Sequence, residues 1–306
     1  MAIAIPPAAT SAEDIRFHYD IGNDFYALWL DETMTYSAGL WDGIRPDEAD
    51  ALARSQRAKF VCHLDLTGAK GEVGDFHLLD IGCGWGGLMD HALSSGRVTS
   101  ATGLTLSDAQ RAYIEARAHP DMRVDLTDWQ SHRSERRYDA IVSVEAFEHF
   151  VAPGTPREER VRVYAAFFER CHGLLRPGGR MSLQTGAYDG VSGPDGPVGV
   201  FISNDIFPGG SLPRLTDIAA ACDPYFSLEV VVGSAADYAM TLNAWSARLL
   251  SARRHAKTLM GDDVVRRYRI YLRACETTFA RGAATLYRIG LRRRDEPLLL
   301  TPYVKN

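Results

Sequence analysis

Between residues 76 and 188, short apolar segments with the length of β-strands alternate with longer segments whose apolar residues recur at helical spacing. This alternation predicts βαβ units, and therefore a doubly wound, mostly parallel sheet of the α/β class. Ser107 and Gln110 mark the start of one helix, because a serine N-cap and a glutamine three residues later form a capping box. The predicted strands are "FHLLDIG", "VTSATGLTL", "MRVDLTD", "YDAIVSVEAF" and "RMSLQTGAY".

The flanking segments are predicted to be additions to one domain rather than a second domain. Residues 15–60 have a helical pattern interrupted by the loop "DETMTYSAGLWDGIRP". Residues 187–213 are a loop rich in glycine and proline, and 214–294 have the pattern of a helix, the strand "FSLEVVVGS" and long helices. The predicted organisation is a flexible lead (1–14), a single domain (15–294) made of a helical N-terminal cap (15–60), a core (75–186) and a C-terminal part (187–294), and a tail (295–306).

Composition excludes several classes of protein. The net charge of −5 disfavours a nucleic-acid partner, since such proteins usually present a basic face. No stretch reaches the roughly 18 apolar residues of a membrane span, and the N-terminus lacks the basic start of a secretory signal. The five cysteines form no CxxC pair or His/Cys cluster, so no bound metal is expected. We expect a soluble cytoplasmic protein, and we interpret the arginines of 248–294 as solvated helix faces in preference to a site for an anionic partner.

The segment "LLDIGCGWGG" (78–87) carries the strongest indication of a ligand site. A short apolar strand ends at Asp80, and glycines then lead into a helix, so the backbone can turn sharply and approach a ligand at the carboxyl edge of the sheet. A bare strand–helix turn is the simpler alternative, and GxGxxG by itself also fits a dinucleotide site. A nicotinamide oxidoreductase is disfavoured, because the second strand ends in "GLTLSDAQ" without the acid that would bind the ribose.

The string "LDIGCGWGG" resembles motif I of class I S-adenosylmethionine (SAM)-dependent methyltransferases. A longer stretch, "FHYDIGNDFYALWLDETMTYSAGLWDG" (17–43), resembles the signature of the cyclopropane-fatty-acyl-phospholipid synthase family, which includes the mycolic acid cyclopropane synthases and methyltransferases. The resemblance covers roughly residues 15–294. It implies a Rossmann-like core (75–186) that binds SAM, with helical additions covering the acceptor pocket. Further matching segments, in the order of the family, are "GLTLSDAQ", "DW" (128–129), "VEAFEHF", "NDIFPGGSLP", "DYAMTLNAW" and "CETTFARG".

The resemblance also implies which residues bind SAM. Two residues of the N-terminal loop would face the methionine end, the glycine turn would follow the strand that ends at Asp80, two polar residues would bind the ribose, and one tryptophan would face the adenine. An aromatic ring near a sulfonium is also reasonable on its own, since a cation over a ring gains about 0.5–2 kcal/mol. The predicted residues are Tyr36 and Ser37, Asp80, Gly82 and Gly84, Thr105 and Gln110, and Trp129.

The end of the fourth strand, "IVSVEAFEHF" (141–150), places acids directly after a buried strand, although glutamate is rarely buried without a partner. By the resemblance, Glu148 faces the transferred methyl group, where it stabilises a carbocation on the acceptor or acts as the base. Tyr238 is predicted to be its partner. We interpret Glu145 and His149 as structural or rim residues.

The resemblance fails at the site that holds the proton acceptor. Cyclopropane synthases are understood to hold a bicarbonate ion in a cage of a cysteine, a glutamate, a histidine, an isoleucine and a tyrosine. Here the glutamate and the tyrosine are retained, as Glu148 and Tyr238. The other three positions hold Ala38, Gln184 and Gly186. Bicarbonate-dependent ring closure is therefore in doubt, and the small residues predict a wider acceptor pocket, to which Tyr19 and Phe207 would also belong.

These features predict a SAM-dependent methyltransferase that acts on a carbon of a non-lipid small molecule, such as a secondary metabolite or an isoprenoid. Glu148 and Tyr238 would be its catalytic residues. The alternative is a cyclopropane-forming enzyme of the same fold, acting on a natural product or an unsaturated acyl chain. In that case, a partner enzyme of the same biosynthetic pathway could deliver the substrate. A non-catalytic SAM-binding protein is disfavoured, because the glycine motif and both predicted catalytic residues are retained.

Overall fold

The alternation of segments forms a single seven-stranded sheet with helices around it. The structure is a computed structural model that describes residues 22–71, 74–189 and 210–295. Tyr19 and Phe207, both predicted to line the acceptor pocket, lie outside the described residues. The strands are β1 (His77–Ile81), β2 (Ser100–Thr105), β3 (Met122–Leu126), β4 (Tyr138–Val144), β5 (Leu175–Tyr188), β6 (Phe226–Gly233) and β7 (Ala284–Arg293).

Nine α-helices accompany these strands in the described part of the chain. Ser107 accepts a hydrogen bond from the backbone N–H of Gln110, so the predicted N-cap is present. A short 3₁₀ turn, Phe147–His149, follows β4. The helices are α1 (Asn23–Ala27), α2 (Ala51–Thr67), α3 (Gly87–Ser94), α4 (Asp108–Glu115), α5 (Arg157–Leu174), α6 (Leu215–Cys222), α7 (Ala235–Ser251), α8 (Arg253–Met260) and α9 (Asp262–Ala280).

The strand order is β3-β2-β1-β4-β5-β7-β6. The strands from β3 to β5 are parallel to their neighbours, whereas β7 runs antiparallel to both β5 and β6. The prediction of a doubly wound, mostly parallel sheet is confirmed. Parallel strands end at the same edge of a sheet, so the residues that follow β1, β2 and β4 are brought together there.

The prediction of long helices up to residue 294 is wrong at its end, where the structure has β7. Its sequence, "ATLYRIGLRR", contains three arginines, which are unusual in a strand covered on both faces. Two of them are held by acids: Arg288 is buried against Asp237, and Arg292 contacts Glu229 on the neighbouring strand. The tertiary partners of the arginines, which the local pattern does not reveal, therefore decide the conformation of this segment.

Aromatic packing joins the N-terminal segment to the C-terminal helices. The ring centroids of Trp29 and Trp245 of α7 are 5.7 Å apart, and those of Tyr26 and Trp85 of the glycine-rich turn are 5.0 Å apart. Such ring pairs contribute roughly 0.5–1.5 kcal/mol each beyond the area they bury. The loop that carries Tyr36, Ser37 and Ala38 is therefore held over the carboxyl edge of the sheet.

Candidate active site

The turn after β1 keeps its backbone close to the end of β4. Gly82 and Gly84 have φ angles of 82° and 54°, in the left-handed region that favours glycine. A Cβ atom on Gly82 would lie 2.5 Å from the Cβ of Ala146, whereas one on Gly84 would meet no atom within 4 Å. Glycine at 82 therefore lets the turn pass the segment after β4, and glycine at 84 leaves open space beside the backbone.

All eight residues predicted to bind the cofactor line one cavity at this edge of the sheet. Among its polar side chains, the Thr105 hydroxyl donates to Gln110 Oε1 at 2.6 Å. Burial raises the pKa of Asp80 to about 7, although the nearby Lys59 opposes the shift. The Trp129 indole N–H is buried and has no acceptor among the residues that the structure describes. The lining therefore combines aromatic and apolar side chains with polar ones.

Lys59 also lines this cavity, and the sequence interpretation missed it. Its side chain is fully buried in α2, and its ammonium group donates to Ser37 Oγ at 2.6 Å. Burial lowers the pKa of Lys59 to about 7, while Glu145 and Asp31 act in the opposite direction. The available signal was helical spacing, because Gln56, Lys59 and His63 recur on one face and all three are buried.

Glu148 follows β4, as predicted, but it is not among the residues that line the cavity. Its Oε1 accepts from the backbone N–H of Gly186 at 2.6 Å, and its buried Oε2 has no partner in the described parts of the chain. Burial, followed by repulsion from Glu145, raises the pKa of Glu148 to about 8. Both effects favour the protonated form of Glu148.

Glu145, in contrast, lines the cavity and accepts three hydrogen bonds. Its Oε1 accepts from the backbone N–H of Ala38 at 2.9 Å and from Gln184 Nε2 at 2.8 Å. Its Oε2 accepts from the Tyr238 hydroxyl at 2.6 Å. Of the two interpretations given for Glu145, structural or rim, these hydrogen bonds favour the structural one. The prediction that Tyr238 is the partner of Glu148 is wrong, because its hydroxyl donates to Glu145.

The orientation of the Gln184 amide is fixed by a second layer of buried groups. Arg288 Nε donates to Gln184 Oε1 at 2.9 Å, and since guanidinium can only donate, this atom must be the oxygen. The amide nitrogen then faces Glu145 Oε1 and the carbonyl of Ala38, at 2.8 and 3.0 Å. His63 Nε2 lies 3.2 Å from the same Gln184 oxygen. Burial, with Arg288 and Lys59, lowers the pKa of His63 to about 3, so a neutral ring donates from Nε2.

The two positions predicted to widen the acceptor pocket are closed. Ala38 is fully buried, with its N–H bonded to Glu145. A Cβ atom on Gly186 would lie 3.3 Å from Leu212 and 3.7 Å from Phe279, so neighbouring side chains occupy that space. The expectation of extra room at Ala38 and Gly186 is therefore wrong.

The profile of the mycolic acid cyclopropane synthetase family matches residues 8–289. The chain belongs to this family.

Similar proteins agree with this assignment. The S-adenosylmethionine-dependent methyltransferase UmaA of Mycobacterium tuberculosis is 34% identical over 294 residues, which cover 90% of this chain and 95% of UmaA. Cyclopropane-fatty-acyl-phospholipid synthase of Escherichia coli K12 is 32% identical over 280 residues, which cover 91% of this chain and 67% of that protein. The crystal structure of the mycolic acid cyclopropane synthase CmaA1, complexed with SAH and CTAB, has a TM-score of 0.79 at 31% identity, covering 92% of this chain and 98% of CmaA1.

This member of the cyclopropane synthetase family is a SAM-dependent enzyme, and its cavity fits SAM. Trp129, whose indole N–H has no acceptor in the described part of the chain, suits a heterocyclic base. Three polar lining residues, Ser37, Lys59 and Thr105, suit the charged and hydroxylated parts of the molecule. The open space beside Gly84 lets a ligand approach the backbone closely.

Gly82→Ala should weaken binding of S-adenosylhomocysteine (SAH) by at least about tenfold, which is roughly 1.4 kcal/mol. The added methyl group would lie 2.5 Å from Ala146 and force the glycine turn away from β4. Isothermal titration calorimetry measures the affinity. Gly43→Ala is the matched control, because Gly43 also has a left-handed φ, of 67°, but has no atom within 4 Å of an added Cβ. Equal SAH affinity in Gly82→Ala and the wild type would contradict the clash.

Glu148→Gln should become more stable relative to the wild type as the pH rises. In the folded wild type the Glu148 carboxyl stays protonated up to its pKa of about 8, whereas its ordinary pKa is 4.5. Folding therefore takes up a proton between these values, and the stability present below pH 4.5 is lost as the pH rises towards 8. A glutamine cannot ionise, so the difference in unfolding free energy should grow by up to about 5 kcal/mol across this window, at about 1.4 kcal/mol for each pH unit between the two pKa values.

Urea denaturation at pH 5, 7 and 9 tests this prediction. Glu169→Gln is the control, because Glu169 is exposed and its substitution should change stability equally at each pH. A constant difference between Glu148→Gln and the wild type at all three pH values would show that Glu148 is ionised in the folded protein.

In the described part of the chain, no helix is long and apolar enough to cross a membrane. Among the same residues, no group of three or more His, Cys, Asp or Glu side chains is placed to hold a metal ion.

Proposed function

We propose that this enzyme adds the methyl carbon of SAM to a carbon–carbon double bond of an unsaturated acyl chain and closes a cyclopropane ring. The observation that carries the proposal is the position of Glu145. Glu145 lines the same cavity as all eight residues predicted to bind SAM. The relatives support the choice of reaction, because they include cyclopropane synthases.

SAM, when bound, supplies an electrophilic methyl group. A double bond that takes up this carbon is left with positive charge on its second carbon, and a fixed negative group nearby stabilises such charge. Glu145 is such a group, and Tyr238 and the backbone of Ala38 hold it in place.

The names of the relatives favour an acyl acceptor over a non-lipid one. One of them is a cyclopropane-fatty-acyl-phospholipid synthase, and several are cyclopropane mycolic acid synthases. The argument for a bulkier, non-lipid acceptor depended on extra space at Ala38 and Gly186. Because Ala38 is buried and Gly186 is closely packed, that argument no longer holds.

Methyl transfer without ring closure is the second candidate, and the name of UmaA, a methyltransferase, favours it. The two reactions differ in which proton is lost. In ring closure the proton leaves the transferred carbon, whereas in methyl transfer it leaves the acceptor.

SAM with a trideuterated methyl group separates these outcomes. The enzyme is incubated with phospholipids that carry monounsaturated acyl chains, with matched saturated phospholipids as the control, and with geranyl diphosphate and aromatic acceptors. Mass spectrometry of an acyl product with two deuterons supports ring closure, and three deuterons indicate methyl transfer. Label in only the isoprenoid or aromatic acceptors would reject the acyl proposal.

A further inference from the structure

We infer that Ala38, Gln184 and Tyr238 form a carboxylate site that the protein fills with its own Glu145, and that Glu145 rather than Glu148 accepts the proton lost in the reaction. The role as proton acceptor rests on the function proposed above. The carboxylate site itself rests on the geometry of the folded chain alone.

The three donors converge on Glu145 from separate parts of the chain. The N–H of Ala38 comes from the N-terminal loop, Gln184 Nε2 from β5 and the Tyr238 hydroxyl from α7, at 2.9, 2.8 and 2.6 Å from the carboxylate oxygens. Hydrogen bonds to a carboxylate are shorter and stronger than bonds between neutral groups. A site with three such donors binds any small carboxylate of similar size in the same orientation.

The donors cannot turn away from this site. Gln184 presents its nitrogen because Arg288 and His63 occupy its oxygen. Its two amide hydrogens are both used, one by Glu145 and one by the carbonyl of Ala38. The Tyr238 ring packs against Phe279 with 4.3 Å between the ring centroids. The site is therefore preorganised in the folded protein.

The backbone of Glu145 is held in a conformation that glutamate rarely adopts. Its φ is 54°, in the left-handed region, and its N–H donates to the carbonyl of Gln184 at 2.8 Å. A non-glycine residue held there costs of the order of 1–3 kcal/mol, and such strain concentrates at functional sites. A glycine would adopt the same backbone without this strain. The strained position is therefore also the one whose carboxylate the three donors bind.

Glu148 is less suited to accept a proton. It lies outside the lining of the cavity, and burial together with repulsion from Glu145 raises its pKa, which favours the protonated form. Among the described residues, Glu145 Oε1 accepts two hydrogen bonds and Oε2 accepts one, from Tyr238, which leaves Oε2 a lone pair. Oε2 is therefore the atom that receives the proton.

The step balances without a further reactant. A C–H bond of the transferred carbon breaks, its electron pair forms the second C–C bond of the ring at the cationic carbon, and the proton goes to Glu145. In methyl transfer, the C–H bond that breaks belongs to the acceptor, and its electron pair forms a double bond. Glu145 then returns the proton to solvent, and no oxidant or external base takes part.

Glu145→Gly tests both parts of the inference. Glycine accepts a φ of 54° without strain, so the variant keeps the backbone and the three donors but loses the carboxylate. Turnover should fall about 100-fold or more, with SAH affinity within about threefold of the wild type. Sodium formate, a small carboxylate, should restore part of the turnover in Glu145→Gly and have no effect on the wild type. Asp50→Gly is the matched control, since exposed Asp50 has a φ of 55° and is replaced in the same way outside the site.

Calorimetric titration of Glu145→Gly with sodium formate, in the presence of SAH, needs no acceptor. Saturable binding that disappears on adding Tyr238→Phe is the expected result. If the wild type modifies no acyl chain, the proposed function fails, and this titration still decides the carboxylate site: no binding overturns it. If the wild type is active and Glu145→Gly keeps its turnover, the role as proton acceptor is overturned.

Glu145→Gln keeps the side-chain volume and should be inactive and insensitive to formate. Full activity of this variant would overturn the role of Glu145 as proton acceptor.

Discussion

Arg288→Met should lower the free energy of unfolding by about 3–5 kcal/mol. Arg288 is only 2% exposed, and its guanidinium reaches three separate acceptors. It donates to Asp237 Oδ2 at 2.6 Å, to the carbonyl of Gly39 at 2.7 Å and to Gln184 Oε1 at 2.9 Å. Methionine fills a similar volume but leaves the buried Asp237 carboxylate without its cation. The cost is large because a buried charge that loses its partner keeps its desolvation penalty.

Arg292→Met is the matched control, because Arg292 lies on the same strand and its ion pair with Glu229 is exposed. The Arg292 side chain is 45% exposed, so its substitution should cost less than about 1 kcal/mol. Urea denaturation measures both variants. Adding Asp237→Asn to Arg288→Met should recover part of the lost stability, since the amide still accepts from the N–H of Trp41 without carrying a charge. If Arg288→Met and Arg292→Met lowered the free energy of unfolding equally, the buried ion pair of Arg288 would contribute no more to stability than the exposed pair of Arg292.

The fold could be predicted from the sequence wherever local pattern and tertiary environment agree. The segments that became β1 to β5 form the parallel part of the sheet, and "FSLEVVVGS" became β6, because strand-like runs between helical segments have few alternative arrangements. The pattern failed at β7, where arginines in a central strand are stabilised by Asp237 and Glu229, both distant in sequence. Such partners are visible only after the chain has folded.

The candidate site, like the fold, could be predicted from the sequence only in part. The eight residues predicted to bind SAM converge on one cavity because the motif places them at strand ends and in the loop held above those ends. The direction of Glu145 could not be predicted, since it depends on a left-handed backbone that the sequence does not indicate for glutamate. With that backbone, the Glu145 carboxylate reaches Tyr238 and Gln184, and Glu148 bonds to the backbone of Gly186 instead.

Tyr238→Phe should lower kcat about 100-fold and leave the KM for SAM unchanged. The Tyr238 hydroxyl donates to Glu145 Oε2 at 2.6 Å, but Tyr238 is not among the residues that line the SAM cavity. Losing the hydroxyl frees the carboxylate to rotate away from the reacting carbons, so the chemical step suffers while cofactor binding does not. Steady-state kinetics on a monounsaturated phospholipid, with SAM varied, separates the two parameters.

The same substitution at Tyr138 distinguishes a positioning role from a merely structural one. Tyr138 is buried at the opposite end of β4, where its hydroxyl pairs with His132 Nε2 at 3.0 Å. Tyr138→Phe should therefore lose a comparable hydrogen bond, of about 1 kcal/mol, and keep its turnover. If both variants lost the same stability and both kept kcat, then the hydrogen bond from Tyr238 would only support the fold, and Glu145 would need no orientation to act. A fall in kcat confined to Tyr238→Phe would instead require the hydroxyl to hold the Glu145 carboxylate in place during the reaction.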